Sequence, residues 1–458
     1  MSYTRNRYRE QLLPALGDPL DVLARLVANL DDRDYVCFEG ADGWSVGVGR
    51  AAEVVADRAY IVMRGPDGQA KLPWDRQSIR SVPRLLADVG IQGWRAYGWS
   101  GFDLAAAKEG RLDLVGEDRF LHLVIPEIEV RMGPAGTLVR ALHAADLEWV
   151  RRRLAVRDGP TGRRHPVDGV ASDLVGDIEQ GRQEYEAAVD NAVNAIELGR
   201  LRKVVLARKI AVSSAVDLTQ TLVAGRRVTS PPRSFLFALD GLEAAGLSPE
   251  SVVHVSSTGV VTSQLLAGTR AQTGSPRSEA AVRDELLSDP KEVFEHAISV
   301  RAALDEMSTV CDPSSVLVKD LLSVKPSGSL RHLASTVRGR LADGRNGWDA
   351  FCAMFPAVTL TGTPKLAACE LIHELEKVGR GAYGGAVLTY EPSGVLDTAA
   401  VLRTIFRSGG RTWLHAGAGV VRQSRPEREF TETCEKALAI ARYVVPREPA
   451  GMAEEIQR

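Results

Sequence analysis

The sequence lacks several features that would have decided its class at once. Its 458 residues hold five cysteines (Cys37, Cys311, Cys352, Cys369 and Cys434), odd in number, widely spaced and without a CxxC pair. That speaks against a disulfide framework or a cysteine-based zinc site and suits a reduced, cytosolic setting. No stretch approaches the roughly 18 uninterrupted apolar residues of a membrane span, and the N-terminal MSYTRNRYREQLLPAL has no signal-peptide apolar run. A formal net charge of -2 gives no general reason to expect nucleic acid or an anionic membrane as partner. The phosphate-binding P-loop pattern is missing and GAGVV lacks full dinucleotide spacing, so no nucleotide cofactor is indicated. Short internal repeats and low-complexity segments are also missing. The expectation is a soluble, cytoplasmic protein.

What is present is enough for a large core. With 45% hydrophobic residues the chain can build two or three domain-sized units or one composite fold. Residues 1–170 alternate short apolar runs (YVCFEG, WSVGVG, AYIVMRG, LHLVIPEIEVRM) with Gly and Asp turns, which reads as antiparallel strands with a few helices between them. The polar stretch 156–169 reads as a loop, either between two halves or inserted in one fold. From about 181 the texture changes. RQEYEAAVDNAVNAIELG is helical with Gly199 as its stop, and KVVLARKIAV, SFLFAL and VVHVSSTGVV read as strands. A helical region covers roughly 277–308. The last third mixes the helices LAACELIHELEK and EREFTETCEKALAIARYVV with the strands AVLTY, LDTAAVLRTIF and TWLHAG. Helices and hairpins in blocks imply an α+β arrangement.

Within these elements some residues are out of place. Lys203 opens VVL, a run that otherwise reads as a buried strand. It either marks a solvent edge or faces the interior, where its ammonium is paired or has a lowered pKa suited to proton transfer. Glu292 and Glu295 share one helix face, as do Glu429 and Glu432, with Lys436 four residues further on. Such pairs are ordinary on solvated helices; brought together, four carboxylates would call for a hard cation, Mg²⁺ above all. Gly362, Thr363 and Pro364 precede a helix, Thr363 as a plausible N-cap and Pro364 at the first helical position, so free N–H groups there can bind a carboxylate. HAGAGVV places Gly417 and Gly419 between two strands, and LAGTR forms a third turn of this kind, where backbone can approach a ligand closely. Each alone can be a structural turn. Glu250, His332 and Tyr383 are further polar candidates. Arg403 inside an apolar strand needs a partner and suits a carboxylate.

As a set, KVVLAR, LSPES, LAGTR, DPKEVFEHAISV, RHLASTVRGRL, FPAVTLTGTPK, RGAYGGAV, LDTAAVLRT, WLHAGAGVV and PEREFTETCEKA resemble the chorismate-utilising enzymes, in family order over about 185–445. The resemblance implies a single large α+β chorismate-binding fold, with extended antiparallel sheets packed against each other and outer helices. It divides the chain into an N-terminal strand-rich part, 1–170, and a catalytic region, 171–450. Ammonia-using members carry glutamine where this chain has Lys203, so the resemblance implies water as nucleophile, with Lys203 the base, Glu250 the general acid and no glutaminase subunit. It further implies Glu295 and Glu432 as direct Mg²⁺ ligands, Glu292 and Glu429 as ligands through water, and Lys436 neutralising the cluster. Thr269, Gly362, Thr363, Tyr383, Arg403, Gly417 and Gly419 would bind the substrate, chorismate, with His332 near its pyruvyl end. Thr359 and the GGRTWLHAGAG and REFTETCEK runs resemble the salicylate synthase branch, which forms isochorismate and then eliminates pyruvate. GTPK stands where that branch commonly has GIPK, so Thr363 bears on how firmly isochorismate is held. An isochorismate synthase, an ammonia-using relative or an inactive scaffold are the alternatives. A monomer is expected, and a siderophore or an antibiotic building block are both compatible destinations for the product.

Overall fold

The computed structural model describes residues 6–30, 32–155, 178–213, 215–271, 276–327 and 330–447. The loop expected at 156–169 lies outside the described residues.

Two antiparallel sheets of eleven strands dominate the described residues. The first runs from Arg9–Leu13 at one edge through the Tyr35–Gly40 and Arg233–Leu239 strands to Leu242–Ser248, Thr404–Ser408, Arg411–Val420, Lys203–Val212 and the two-residue strand Gly362–Thr363. The second runs from Leu317–Ser327 through Leu330–Arg340 and Val260–Ala271 to Leu396–Ala400, Ala386–Tyr390, Ala96–Ser100 and, at its far edge, Gly68–Pro73. Strands from before residue 142 and after residue 202 stand side by side in both sheets. Phe38, Phe235, Phe237 and Phe406 of the first sheet pack against Tyr97, Trp99, Val124 and Val387 of the second. Helices cover the outer faces. Central strands such as Leu121–Ile125 and Leu396–Ala400 are therefore buried on both faces and carry continuous apolar runs in place of alternation. No helix among the described residues is long and apolar enough to cross a membrane.

Several expected elements are divided. LHLVIPEIEVRM forms two strands, Leu121–Ile125 and Ile128–Gly133, which belong to different sheets. LDTAAVLRTIF does the same, as Leu396–Ala400 and Thr404–Ser408. Arg403 therefore sits at the crossing and not inside a strand, with φ at +49°. The helical region near 277–308 is two helices, Pro276–Ser288 and Pro290–Met307. Between them Asp289 accepts from the backbone N–H of Lys291 at 2.9 Å and of Glu292 at 3.4 Å. A cap of this kind is worth about 1 kcal/mol, and Pro290 at the first position fixes where the second helix starts.

Three glycine-rich turns also differ. LAGTR is a bulge within Val260–Ala271, with Gly268 at φ +84° and a register shift between Ala267 and Thr269. HAGAGV lies inside the strand Arg411–Val420 rather than between strands, with Val421 just past its end. The helix after TGTPK begins at Lys365 with Pro364 in the cap position, because Thr363 is taken up in pairing with Lys203.

Candidate active site

The strands Lys203–Val212, Val260–Ala271, Leu330–Arg340 and Arg411–Val420, with the helices Pro290–Met307 and Pro426–Ala441, surround one cavity near the end of the first sheet. Of the sequence-derived candidates, Glu250, Thr269, Glu295, His332, Thr359, Tyr383, Arg403, Gly417, Gly419, Glu432 and Lys436 line it. Lys203, Glu292, Gly362, Thr363 and Glu429 are not on its wall.

Glu250 follows the strand Leu242–Ser248 and is 2% exposed. Its carbonyl accepts from Ser248 Oγ at 2.9 Å and from Ala400 N at 3.0 Å, which fixes the backbone. Its side chain accepts a hydrogen bond from Thr359 Oγ1. Burial pushes its pKa up to about 7, and the Thr359 hydrogen bond and the nearby Lys203 charge hold it back. A carboxyl so poised keeps its proton in a sizeable fraction of molecules at neutral pH and can donate it.

Lys203 is fully buried. Its ammonium donates to Ser299 Oγ at 3.0 Å and pairs with Glu295 Oε1 at 2.9 Å. Of the two readings open from sequence, solvent edge or paired interior, the second holds. Gly362 makes the surrounding backbone possible. At φ +131°, a Cβ there would lie 2.2 Å from the Lys203 carbonyl oxygen. Gly362 and Thr363 thus stand behind Lys203 as a supporting strand.

The two glutamate pairs converge from two helices. Glu292, Glu295, Glu429 and Glu432 are at most 5% exposed. Gly419 has no side chain because the Glu295 carboxylate fills that space: a Cβ would meet Oε1 at 2.0 Å. Glu292 accepts from Arg270 at 2.7 Å and from the Thr269 N–H at 3.3 Å. Lys436 donates to Gly417 O at 2.9 Å and pairs with Glu432 at 2.8 Å. Lys291 Nζ lies 3.1 Å from Glu429, 3.2 Å from Glu295 and 3.6 Å from Glu292. Burial lifts Glu429 to about 7. Burial also opposes ionisation of Glu295 and Glu432, but the lysines reverse it. Lys203 and Lys291 lower Glu295, and Lys436 with Lys291 brings Glu432 to about 2.

Among the described residues no three His, Cys, Asp or Glu side chains are gathered as a formed metal centre. The donor set nevertheless fits a hard cation. It is all carboxylate, and two of its buried oxygens accept no hydrogen bond: Glu432 Oε2, and Glu429 Oε1, which has the Lys291 ammonium at 3.1 Å.

The opposite end is cationic and aromatic. Arg403 Nη2 contacts His332 Nε2, and His332 Nδ1 lies 3.0 Å from Thr269 Oγ1. A guanidinium can only donate, so Nε2 accepts and the proton sits on Nδ1, directed at Thr269. Burial, with Arg403 and Lys436 nearby, holds His332 well below its usual pKa, so it is neutral. Burial lowers Arg403 to about 10, which leaves it charged at neutral pH. Tyr383 stacks on His415, ring centroids 4.9 Å apart. Together they offer a cation and aromatic hydroxyl for a substrate carboxylate. Sequence reading missed Ser299, Lys291, Arg270 and His415. Ser299 lies four residues after Glu295 on the same helix face, and that spacing marks it. No comparable local signal marks His415.

A match to the chorismate binding enzyme family spans residues 33–442. The chain is 35% identical to a salicylate synthase of Mycolicibacterium paratuberculosis over 450 residues, covering 95% of this chain and 96% of that one. It is 37% identical over 279 residues to an anthranilate synthase component 1 of Haloarcula marismortui, covering 60% of this chain and 52% of that protein. In structure it is similar to anthranilate synthase component I from Streptococcus pneumoniae, with a TM-score of 0.72, 22% identity and coverage of 90% and 92%. A menaquinone-specific isochorismate synthase from Escherichia coli gives a TM-score of 0.67, 21% identity and coverage of 95% and 94%. The sheets, the cavity between them and a match that spans nearly the whole chain agree: this protein belongs to the chorismate-binding enzyme family.

Proposed function

We propose that this protein is a magnesium-dependent salicylate synthase that converts chorismate, through isochorismate, to salicylate and pyruvate. The observation that carries the reading is the 35% identity to a salicylate synthase across nearly the whole of both chains. The aligned anthranilate synthase segment covers only about half of that relative. The geometry supports the same chemistry. A proton donor poised near 7, Glu250, lines the cavity, and the family resemblance implies that Lys203 stands where the ammonia-using members have glutamine.

In the first half-reaction water attacks C2 of the ring and gives its proton to the Lys203 amine. The double bonds shift and the C4 hydroxyl departs as water with the proton from Glu250. In the described arrangement the Lys203 ammonium is held by Glu295 and Ser299, so it must first give up a proton and leave that pair before its neutral amine can accept one from the water. Arg403 and Tyr383 bind the pyruvyl carboxylate, and His332, acting only as a neutral acceptor for Arg403, fixes the guanidinium's aim. In the second half-reaction the C2 hydrogen passes to the pyruvyl methylene carbon as the C3–O bond breaks. The ring becomes aromatic, and the pocket's contribution is conformation. Glu295 and Glu432 would hold Mg²⁺ directly, with Glu292 and Glu429 through water. When bound, the ion supplies a charge that anchors the ring carboxylate and neutralises the acidic cluster. Thr363 lies behind Lys203, so its departure from the branch's usual isoleucine acts through that strand and not by contact with the ring.

The reading includes a cytoplasmic monomer that works without a glutaminase partner. Incubating purified protein with chorismate and Mg²⁺, without ammonia, tests it: salicylate and pyruvate are the expected products.

A further inference from the structure

The acidic cluster contains a cation that the proposed reaction does not use. Lys291 is the second residue of the helix Pro290–Met307, at the end where the helix dipole disfavours positive charge. Helix stability therefore does not explain it. Among the described residues its ammonium meets only carboxylates: Glu429 at 3.1 Å, Glu295 at 3.2 Å and Glu292 at 3.6 Å. The other cations of the cluster are each committed elsewhere. Arg270 is anchored by Glu285 and Asp289 as well as Glu292. Lys203 is fully buried against Ser299, and Lys436 is tied to the Gly417 carbonyl. Lys291 is 13% exposed and sits on a flexible four-carbon stem, so it can leave for solvent without unfolding its surroundings.

An ammonium about 3 Å from Glu429 Oε1 and Glu295 Oε2 occupies the space that a cation coordinated at roughly 2.0–2.1 Å by those oxygens would need. We infer that Lys291 is a built-in counter-ion: it holds Glu292, Glu295 and Glu429 together when no divalent cation is bound, and a divalent cation must displace it to bind. Lys291 thereby lowers the affinity for metal while stabilising the metal-free fold. This rests on the proposed metal site, and the experiment separates the two.

Magnesium alone is titrated calorimetrically into EDTA-stripped wild type, Lys291→Met and Glu432→Gln, and each is melted with and without Mg²⁺. The Lys291→Met variant should melt lower than wild type without metal and bind Mg²⁺ tighter by about tenfold or more. Its rise in melting temperature on adding Mg²⁺ should also be larger. Lys291→Gln serves in its place if the methionine variant does not fold, and Lys291→Arg, which keeps the charge, should not bind tighter than wild type. Binding in Lys291→Met equal to or weaker than wild type, while Glu432→Gln loses it, overturns the counter-ion role alone. No saturable binding in wild type overturns the metal site and the counter-ion role with it.

Discussion

Lys203 Nζ lies 2.9 Å from Glu295 Oε1, so the proposed base and a proposed metal ligand form one buried ion pair. The two functions proposed for the pocket, activating water and holding a cation, would meet at a single carboxylate. Changes on either side of the pair should therefore be separable by which half-reaction they slow.

Removing the base should do that. Lys203→Ala should reduce conversion of chorismate to isochorismate by about 10²–10⁴-fold. The same preparation, supplied with isochorismate, should still release salicylate with a much smaller loss, because elimination needs conformation and no deprotonation by Lys203. Both rates are measured on one sample. Equal proportional losses would mean that Lys203 only supports the pocket.

Thr359 donates to Glu250 and holds its pKa down against burial. Thr359→Val removes that hydrogen bond, so the pKa should rise above about 7. The alkaline fall of kcat/KM, where Glu250 loses its proton, should move to higher pH by roughly one unit. An unmoved limb would assign it to another group.

The same carboxyl carries a stability cost. Burial lifts Glu250 from 4.5 to about 7, so between those values the folded chain keeps a proton that the unfolded chain has lost. Stability therefore falls as pH rises through that window and stays lower above it. Glu250→Gln carries no such cost. It should be more stable than wild type near pH 8, by up to about 3 kcal/mol, and lose that advantage near pH 4. Melting curves at the two pH values check the sign, and the variant should be unable to make isochorismate.

Gly419 gives a steric test of the acidic side. A methyl group there would meet Glu295 Oε1 at 2.0 Å, whereas one at Gly379 would meet nothing within 4 Å. Gly419→Ala should fold but lose most magnesium-dependent activity, roughly tenfold or more, while Gly379→Ala should behave as wild type. Full activity in Gly419→Ala would mean that Glu295 need not sit where it does.

Most of what was legible in the sequence was local. The glutamate pairs repeat over three residues and Lys203 opens an apolar run, so each announces itself within one element. The partner of Lys203 could not be read, because Glu295 arrives from a helix about ninety residues further along the chain. The crossings near Pro126 and Arg403 were also hidden. Strands buried on both faces leave no change of period where the chain passes from one sheet to the other. Gly417 and Gly419 looked like a turn because glycine signals close approach without saying to what. In the structure the answer is the Leu206 carbonyl and the Tyr383 hydroxyl for the first and the Glu295 carboxylate for the second. Lys291 went unremarked because a lysine among glutamates on a helix is ordinary until a second acidic helix faces it.

The most direct measurement follows the products of chorismate over time in the presence of Mg²⁺, first without ammonium and then with it. Salicylate and pyruvate are expected in equal amounts, with isochorismate only as a low transient and no activity after EDTA until Mg²⁺ is restored. Isochorismate as the sole lasting product, or anthranilate once ammonium is supplied, would contradict that expectation.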